Sequence, residues 1–419
     1  MSTHTNSKRR VVITGLGVVS PCGVGKDEFW QNILNARTFI GPIKSFDTSR
    51  LPTKIGGELH NFDAARFLSE NDMRRFDESA WYAFAAARLA IEDAGINLDD
   101  NNAENIGVIV GSSHGSIKTI ERDILAMQKY GLHGVSPFAM PNASSNISAG
   151  FIAINFGLKG PNFSTVTACA AGTHCIGEAY EKISWNKADV ILAGGTEAAI
   201  TPFIYAGYCF ISAMSTRNEE PQRACRPFDA DRDGFVMSEG AGILILEELN
   251  HALQRNANIY AEIIGYGATT DAVHVTNLSS RGIGVRKAMQ KAIADAGISL
   301  DDIDYINTHG SSTPLADRCE AAAIKDLFKD DTKKLLINST KSITGHMMGA
   351  SGAVEAIVCC LSIKNDVVHG TLNYENPAPD CGLPGITAAC VRKEINYVIS
   401  NSIGFGGPDS SIVLKKYRS

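Results

Sequence analysis

"AIEDAGINLDD" (residues 90–100) recurs as "AIADAGISLDD" (residues 292–302), 202 residues later and identical at nine of eleven positions. Each copy closes a helical pattern. Trp81, Phe84, Ala85 and Leu89 lead into the first copy, and Val285, Ala288, Met289 and Ala292 into the second, at the spacing of one helix face. Gly95 and Gly297 stand where a helix would stop, because glycine takes the left-handed cap conformation without a side-chain clash. A short apolar strand follows each copy, "IGVIVGSSHG" (106–115) and "IDYINTHGSS" (303–312). Duplication explains this better than chance recurrence of a helix–strand unit, since the spacing is close to half of the 419 residues. Long helices alternate with strands such as "VVITGLG", "DVILAGG" and "LLINST", the pattern of a layered α/β protein. The expected division is a tail at 1–10, a first half at 11–260 with insertions, and a second half at 261–419. Two packed, related halves bring their strand ends to a shared seam, where ligand sites favour forming.

Composition narrows the function. The chain is 44% apolar and 20% charged, the balance of a soluble globular protein with room for two cores. A formal net charge of −6 argues against nucleic acid as a partner. No apolar run approaches the roughly 18–20 residues of a membrane span. "MSTHTNSKRR" lacks the apolar region of a signal peptide and reads as a disordered tail. Ten scattered cysteines with no CxxC pair fit buried thiols in a reducing, cytoplasmic setting rather than a disulfide frame.

Within "TVTACAAGTHCIGEAYEKI" (165–183), Cys169 falls where a β-rich run gives way to a helix marked by Ile176, Ala179, Tyr180 and Ile183. The free N–H groups and dipole of a helix start favour a thiolate, and Ala168, Ala170, Ala171 and Gly172 leave space for a substrate. A nucleophile and an inert buried thiol both fit this pattern. His174, five residues on, is turned about 140° around the helix from Cys169. That makes it scaffolding, and it removes a zinc set of Cys169, His174 and Cys175; no metal is expected. His309 lies in "NTHGSSTPLADRCEAAAI" (307–324) at a strand's exit, a place suited to chemistry as well as to packing. "INSTKSITGHMMGASGAVEAIVCCLSI" (337–363) carries Lys341 and His346 ahead of a helix apolar on nearly all sides, hence buried. Lysine in such a place needs a carboxylate, although on its own it is most often a surface residue. "NSIGFGGPDSS" (401–411) is a plain turn, or else a mount for Phe405 as a gate and a source of backbone N–H groups. Two tempting motifs fail. "DADRDGFVMSEG" (229–240) has Gly240 where a calcium loop needs glutamate, and "GLGVVS" (15–20) puts Ser20 where a dinucleotide-binding turn needs glycine.

The motifs "VVITGLGVVSPCG", "TACAAGTH", "NTHGSSTPLADRCE", "STKSITGHMMGASGAVE" and "NSIGFGGPDSSIVLKK" span nearly the whole chain. Together they resemble the β-ketoacyl-acyl-carrier-protein synthases, condensing enzymes of the thiolase fold, and in pattern the elongating type II enzymes of bacterial fatty acid synthesis. The resemblance implies two αβαβαββ halves in a five-layer α-β-α-β-α sandwich. It also implies an acyltransferase. Cys169 would take an acyl chain from the phosphopantetheine of an acyl carrier protein, and His309 and His346 would support decarboxylation of malonyl on a second carrier. Lys341 would pair with Glu320, Ser311 and Thr313 would line the pantetheine tunnel, and Phe405 would be the gate. The N–H groups of Cys169 and Phe405 would form the oxyanion hole. No resident cofactor is implied, since phosphopantetheine arrives on the partner. A homodimer is implied, with a heterodimer as the variant. A polyketide or polyene ketosynthase shares this chemistry. A non-catalytic chain-length subunit or a Cys/His thioester hydrolase fits the residues less well.

Three departures from the family pattern stand out. Pro408 and Asp409 follow "GFGG" where threonine and asparagine are usual, which puts the mobility of the gate in question. His114 occupies a position near the acyl pocket that is usually small or apolar, which predicts a short, bent or functionalised acyl chain. Arg74 and Arg75 remain for carrier docking, but "YGLHGVSP" (130–137) carries no lysine or arginine.

Overall fold

The repeated segment forms the last turn of a helix in each half. In the computed structural model, which describes residues 8–99, 102–329, 332 and 334–418, helix Glu78–Ala94 ends at Gly95 with φ 58° and helix Ile283–Ala296 at Gly297 with φ 65°. Both caps are left-handed, which is why glycine recurs there. Asp100, at the end of the first copy, lies outside the described residues, as do residues 1–7 of the expected tail. Residues 8–10 are tied to the body: Arg9 Nη1 pairs with Asp189 at 2.7 Å and Arg10 Nη2 with Glu262 at 2.7 Å.

The first half contributes, in chain order, β1 (Val11–Ser20), α1 (Glu78–Ala94), β2 (Ile106–Gly111), α2 (Ile117–Tyr130), α3 (Ile147–Phe156), β3 (Asn162–Phe163), α4 (Ala171–Ser184), β4 (Val190–Glu197), α5 (Pro202–Phe210) and β5 (Gly240–Glu248). The second contributes β6 (Ala261–Thr270), α6 (Ile283–Ala296), β7 (Tyr305–Asn307), α7 (Pro314–Phe328), β8 (Leu336–Asn338), α8 (Ser351–Asn365), β9 (Tyr397–Ile403) and β10 (Pro408–Lys415). The strands follow one path, β8-β7-β9-β10-β6-β1-β5-β4-β2-β3. Outward from the centre, β1-β5-β4-β2-β3 and β6-β10-β9-β7-β8 have the same order and the same pairing senses, antiparallel for two steps and then parallel for two. The two sets meet through three residue pairs, Val11↔Ile263, Val12↔Glu262 and Ile13↔Ala261.

Strand alternation sorts the core into layers. Ile243 and Ile245 of β5 face α1 and α3, while Leu244 and Leu246 face α4 and α8. Val413 of β10 faces α6 and α7, and its neighbours Ile412 and Leu414 turn inward. The result is the five-layer thiolase-like sandwich, with α4 and α8 as its middle layer. Those two helices cross at glycines: a Cβ on Gly172 would stand 2.8 Å from Ala353 N, and one on Gly352 2.1 Å from Thr173 Oγ1. This approach sets the two helix starts side by side at the seam. Among the described residues, no helix is long and apolar enough to cross a membrane, and no histidine, cysteine, aspartate or glutamate cluster could hold a metal.

Candidate active site

Each central helix begins with a tight turn whose first residue has a positive φ despite carrying a side chain. These are Ala168 (φ 49°), just before Cys169, and Met348 (φ 44°), just before Gly349. Such backbone persists only where the surroundings over-determine it, and it stores on the order of 1–3 kcal/mol. Cys169 is buried and opens onto a cavity of about 320 Å³, lined also by Tyr208, Phe235, His309, His346 and Phe405. The structure thus gathers residues from both halves, 140 and 177 positions from the cysteine.

Burial pushes the Cys169 thiol up to about 12; Lys341 and the backbone N–H groups of Cys169 and Phe405 pull it down, against Glu197. This corrects the sequence expectation of a helix-start thiolate. Desolvation outweighs the dipole, so the resting group is a thiol. His309 and His346 stand edge to face, ring centroids 5.3 Å apart. Burial, followed by the field of Lys341, holds both well below the ordinary imidazole value, so both are neutral. His346 Nδ1 meets Ser351 Oγ at 2.9 Å, which leaves its other nitrogen for the cavity side, and His309 Nδ1 has no protein partner. The rejected calcium motif turns out to hold His346: its N–H donates to Val236 O at 2.7 Å, and its carbonyl accepts from Ser238 N at 2.9 Å.

The pairing of Lys341 with Glu320 is also corrected. Lys341 Nζ, fully buried, lies 2.5 Å from Glu355 Oε1. Glu320 instead accepts the backbone N–H groups of His309 (2.9 Å) and Gly310 (2.8 Å), fixing the loop that presents His309. Glu355 was missed, although it is the sole charged residue within the otherwise apolar run 351–363, and a buried lysine beside that run needed an acid. Ser311 and Thr313 line the cavity, their hydroxyls 2.9 Å apart. Phe405 sits at the cavity's edge, 38% exposed. His114 stands one side chain back: its Nε2 is 3.2 Å from Tyr208 Oη, and Tyr208 rather than His114 forms the wall. Arg74 and Arg75 lie on the short surface helix Glu70–Arg75, Arg74 paired with Glu70 and Arg75 over the Phe138 ring; neither lines the cavity. Tyr208 and Glu197 were not singled out by sequence. Glu197 accepts N–H groups from Ser113, His114 and Gly349 and so ties the segment after β2 to the turn that opens α8.

Models of two families match: beta-ketoacyl synthase, N-terminal domain, over residues 8–252, and beta-ketoacyl synthase, C-terminal domain, over residues 260–375. The chain is 45% identical over 409 residues to a 3-oxoacyl-[acyl-carrier-protein] synthase 2 of Coxiella burnetii, covering 98% of this chain and 99% of the relative. It is 44% identical over 414 residues to the protein of the same name in Synechocystis, with 98% and 99% covered. Among solved structures, it is similar to a chain of the complex between a type II PKS acyl-carrier protein and its ketosynthase bound to the hexaketide (TM-score 0.91, 34% identity, 98% of this chain and 100% of that one). It is also similar to the ishigamide ketosynthase/chain length factor (TM-score 0.92, 32% identity, 98% and 100% covered). With family models and relatives spanning nearly its full length, the chain belongs to the β-ketoacyl synthase family.

Proposed function

We propose that the protein is a 3-oxoacyl-acyl-carrier-protein synthase of fatty acid elongation, with Cys169 as nucleophile. The observation that carries this reading is one buried thiol facing two neutral imidazoles across a single cavity. The Cys169 sulfur attacks the thioester of an acyl carrier, and its proton passes to the departing pantetheine sulfur by way of a neutral imidazole. Malonyl on a second carrier then loses CO2, and the electron pair of the broken C–C bond becomes an enolate. Its oxygen takes N–H donors from His309 and His346. The carbanion attacks the Cys169 thioester, the new oxyanion meets the N–H groups of Cys169 and Phe405, and collapse expels the cysteine thiolate, which takes a proton from solvent. Covalent tethering turns C–C bond formation into a positioned step. Ser311 and Thr313 guide the pantetheine, which comes in on the partner, so no resident cofactor is needed.

A hydrolase would need a carboxylate behind a histidine; His309 Nδ1 has no such partner. A non-catalytic chain-length subunit would have no use for this constellation. Several large apolar side chains are left exposed, among them Leu132 (80%), Phe210 (80%) and Ile154 (77%), and we propose that a second copy of this chain covers some of them. Nine of the ten free cysteines are buried, which suits the cytoplasm. Intact-mass analysis after mixing the protein with acyl carriers should show an acyl adduct on Cys169. Cys169→Ala should show none yet still release CO2 from malonyl carrier. An adduct elsewhere, or an equally dead decarboxylation in Cys169→Ala, would count against the proposal.

A further inference from the structure

The loop that carries Phe405 is held from outside by a second loop. Gly406 N donates to Val275 O at 2.7 Å, and Asp271 N donates to Gly407 O at 2.8 Å. This second loop also lines the cavity through Thr276, Asn277 and Leu278. Its closure depends on the Asp271 carboxylate, which accepts from Ser279 N at 2.6 Å and Gly284 N at 3.0 Å. Against that carboxylate stands Asp409 of β10, 1% exposed, neither of whose oxygens has a hydrogen-bond partner. A Cβ on Gly284 would lie 2.0 Å from Asp409 Oδ2 and 2.8 Å from Asp271 Oδ1, which sets those oxygens within about 5 Å of each other. The groups facing Asp409 are neutral or acidic: Thr269 across β6, Ile403 across β9, Gly284 of α6, Asp271 of the loop and Glu320 of α7. Cys319 also lies near Asp271, and His274 of the same loop accepts the N–H groups of Thr276 and Asn277 at its Nδ1. Two acids so placed, with no cation between them, do not both ionise without a large penalty.

We propose that Asp409 is a positioning residue for the Phe405 loop. Its protonated carboxyl lets Asp271 close the 271–284 loop, and its ionisation releases that loop together with the two backbone bonds that hold Gly406 and Gly407. The consequence for catalysis rests on the condensing reading above: release withdraws the Phe405 N–H from Cys169 and opens the cavity.

The sign of the pH effect follows from linkage. With the loops closed, burial, then Asp271 and Glu320, push Asp409 up to about 8, whereas in water it returns to an ordinary 3.8. Between those values each pH unit lowers the closed population about tenfold relative to the open one; above about 8 the effect levels off. Amide hydrogen exchange of Gly406 and Asp271, corrected for the intrinsic rate, should therefore lose about fiftyfold in protection from pH 6 to pH 8. Asp409→Asn, isosteric and unable to ionise, should show no such slope. Protection independent of pH in the unmodified protein, or an equal slope in Asp409→Asn, would overturn the proposal. The exchange measurement needs no substrate. Failure of both proteins to acylate Cys169, with the difference in slope intact, would count against the condensing reading and support the role of Asp409.

Discussion

Glu355→Gln is expected to destabilise the protein more than Glu320→Gln, the reverse of what a Lys341–Glu320 ion pair would give. Lys341 Nζ and Glu355 Oε1 are 2.5 Å apart, and both side chains are buried. Removing one partner of such a pair leaves an uncompensated charge and costs about 3–5 kcal/mol. Glu320 meets the N–H groups of His309 and Gly310 and Nδ2 of Asn401. An amide in its place keeps one acceptor but sets an NH2 group against another donor, a loss of about 1.5–3 kcal/mol. Urea unfolding of both variants beside the parent measures the difference. A second readout separates charge from packing. In the parent, Glu355 offsets part of the Lys341 field. Its neutralisation lets Lys341 act more strongly on its neighbours, so the Cys169 thiol shifts down and the two histidines stay neutral to lower pH. Iodoacetamide alkylation of Cys169, located by peptide mass, should then run faster in Glu355→Gln at the same pH. A larger stability loss from Glu320→Gln, with Cys169 alkylation unchanged in Glu355→Gln, would refute the assignment of Lys341 to Glu355.

His114→Ile removes the hydrogen bond to Tyr208 and replaces a polar group behind the cavity wall with an apolar one. In competition acylation, the preference for a long saturated chain over a short one should rise by about 10–200-fold; an unchanged ratio would separate His114 from chain selection. Arg74→Glu reverses an exposed charge, so carrier affinity should fall at low salt and the difference should shrink as salt rises. Equal Kd values at low salt would place docking elsewhere. Burial holds Glu239 and Asp317 at about 7 and Asp409 at about 8. The native state keeps protons that the unfolded chain has already released, so these groups make stability fall as pH rises through those values. His309, His346 and His369 are depressed and act in the opposite sense, but only up to the ordinary imidazole value of 6.5. Urea midpoints should therefore decline between about pH 6.5 and 8, and a rise across that window would contradict the burial of these acids.

What the sequence disclosed depended on whether the signal was local. Gly95 and Gly297 mark helix ends because their backbone conformation is a property of a few residues, and the repeat carried that signal twice. His309, His346 and Lys341 stood out because polar residues interrupt apolar or small-residue runs. Glu355 carried the same kind of signal and was passed over in favour of Glu320, which the structure assigns to the His309 loop. Tyr208 offered no comparable mark. In "TPFIYAGYCF" it is one of two tyrosines three residues apart on a helix face; Tyr205 donates to Ile55 O at 2.7 Å, whereas Tyr208 reaches His114 across 94 residues. The resting state of Cys169 was misjudged for a related reason. A helix start is visible in sequence, but the desolvation that overrides its dipole belongs to the assembled cavity.

Duplication also explains which residues meet at the cavity. Cys169 and Gly349 occupy equivalent places, each one residue after a positive-φ turn and two before a central helix. A side chain cannot be added at the second place: a Cβ on Gly349 would lie 2.5 Å from Ser113 N. His114 and His309 form a second equivalent pair. Each follows the corresponding strand, β2 or β7, in the order His-Gly-Ser, and each has its backbone N–H bound by a buried glutamate, Glu197 at 3.2 Å and Glu320 at 2.9 Å. The second member of this pair opens onto the cavity; the first is engaged by Tyr208 behind the wall. One site at the seam therefore draws the cysteine from one duplicated position and the histidine from the other. The unused partners, a glycine and a hydrogen-bonded histidine, are shaped by packing against that same site. On this view the polar group at position 114 is the structural counterpart of His309, and its effect on the acyl chain is secondary to that origin.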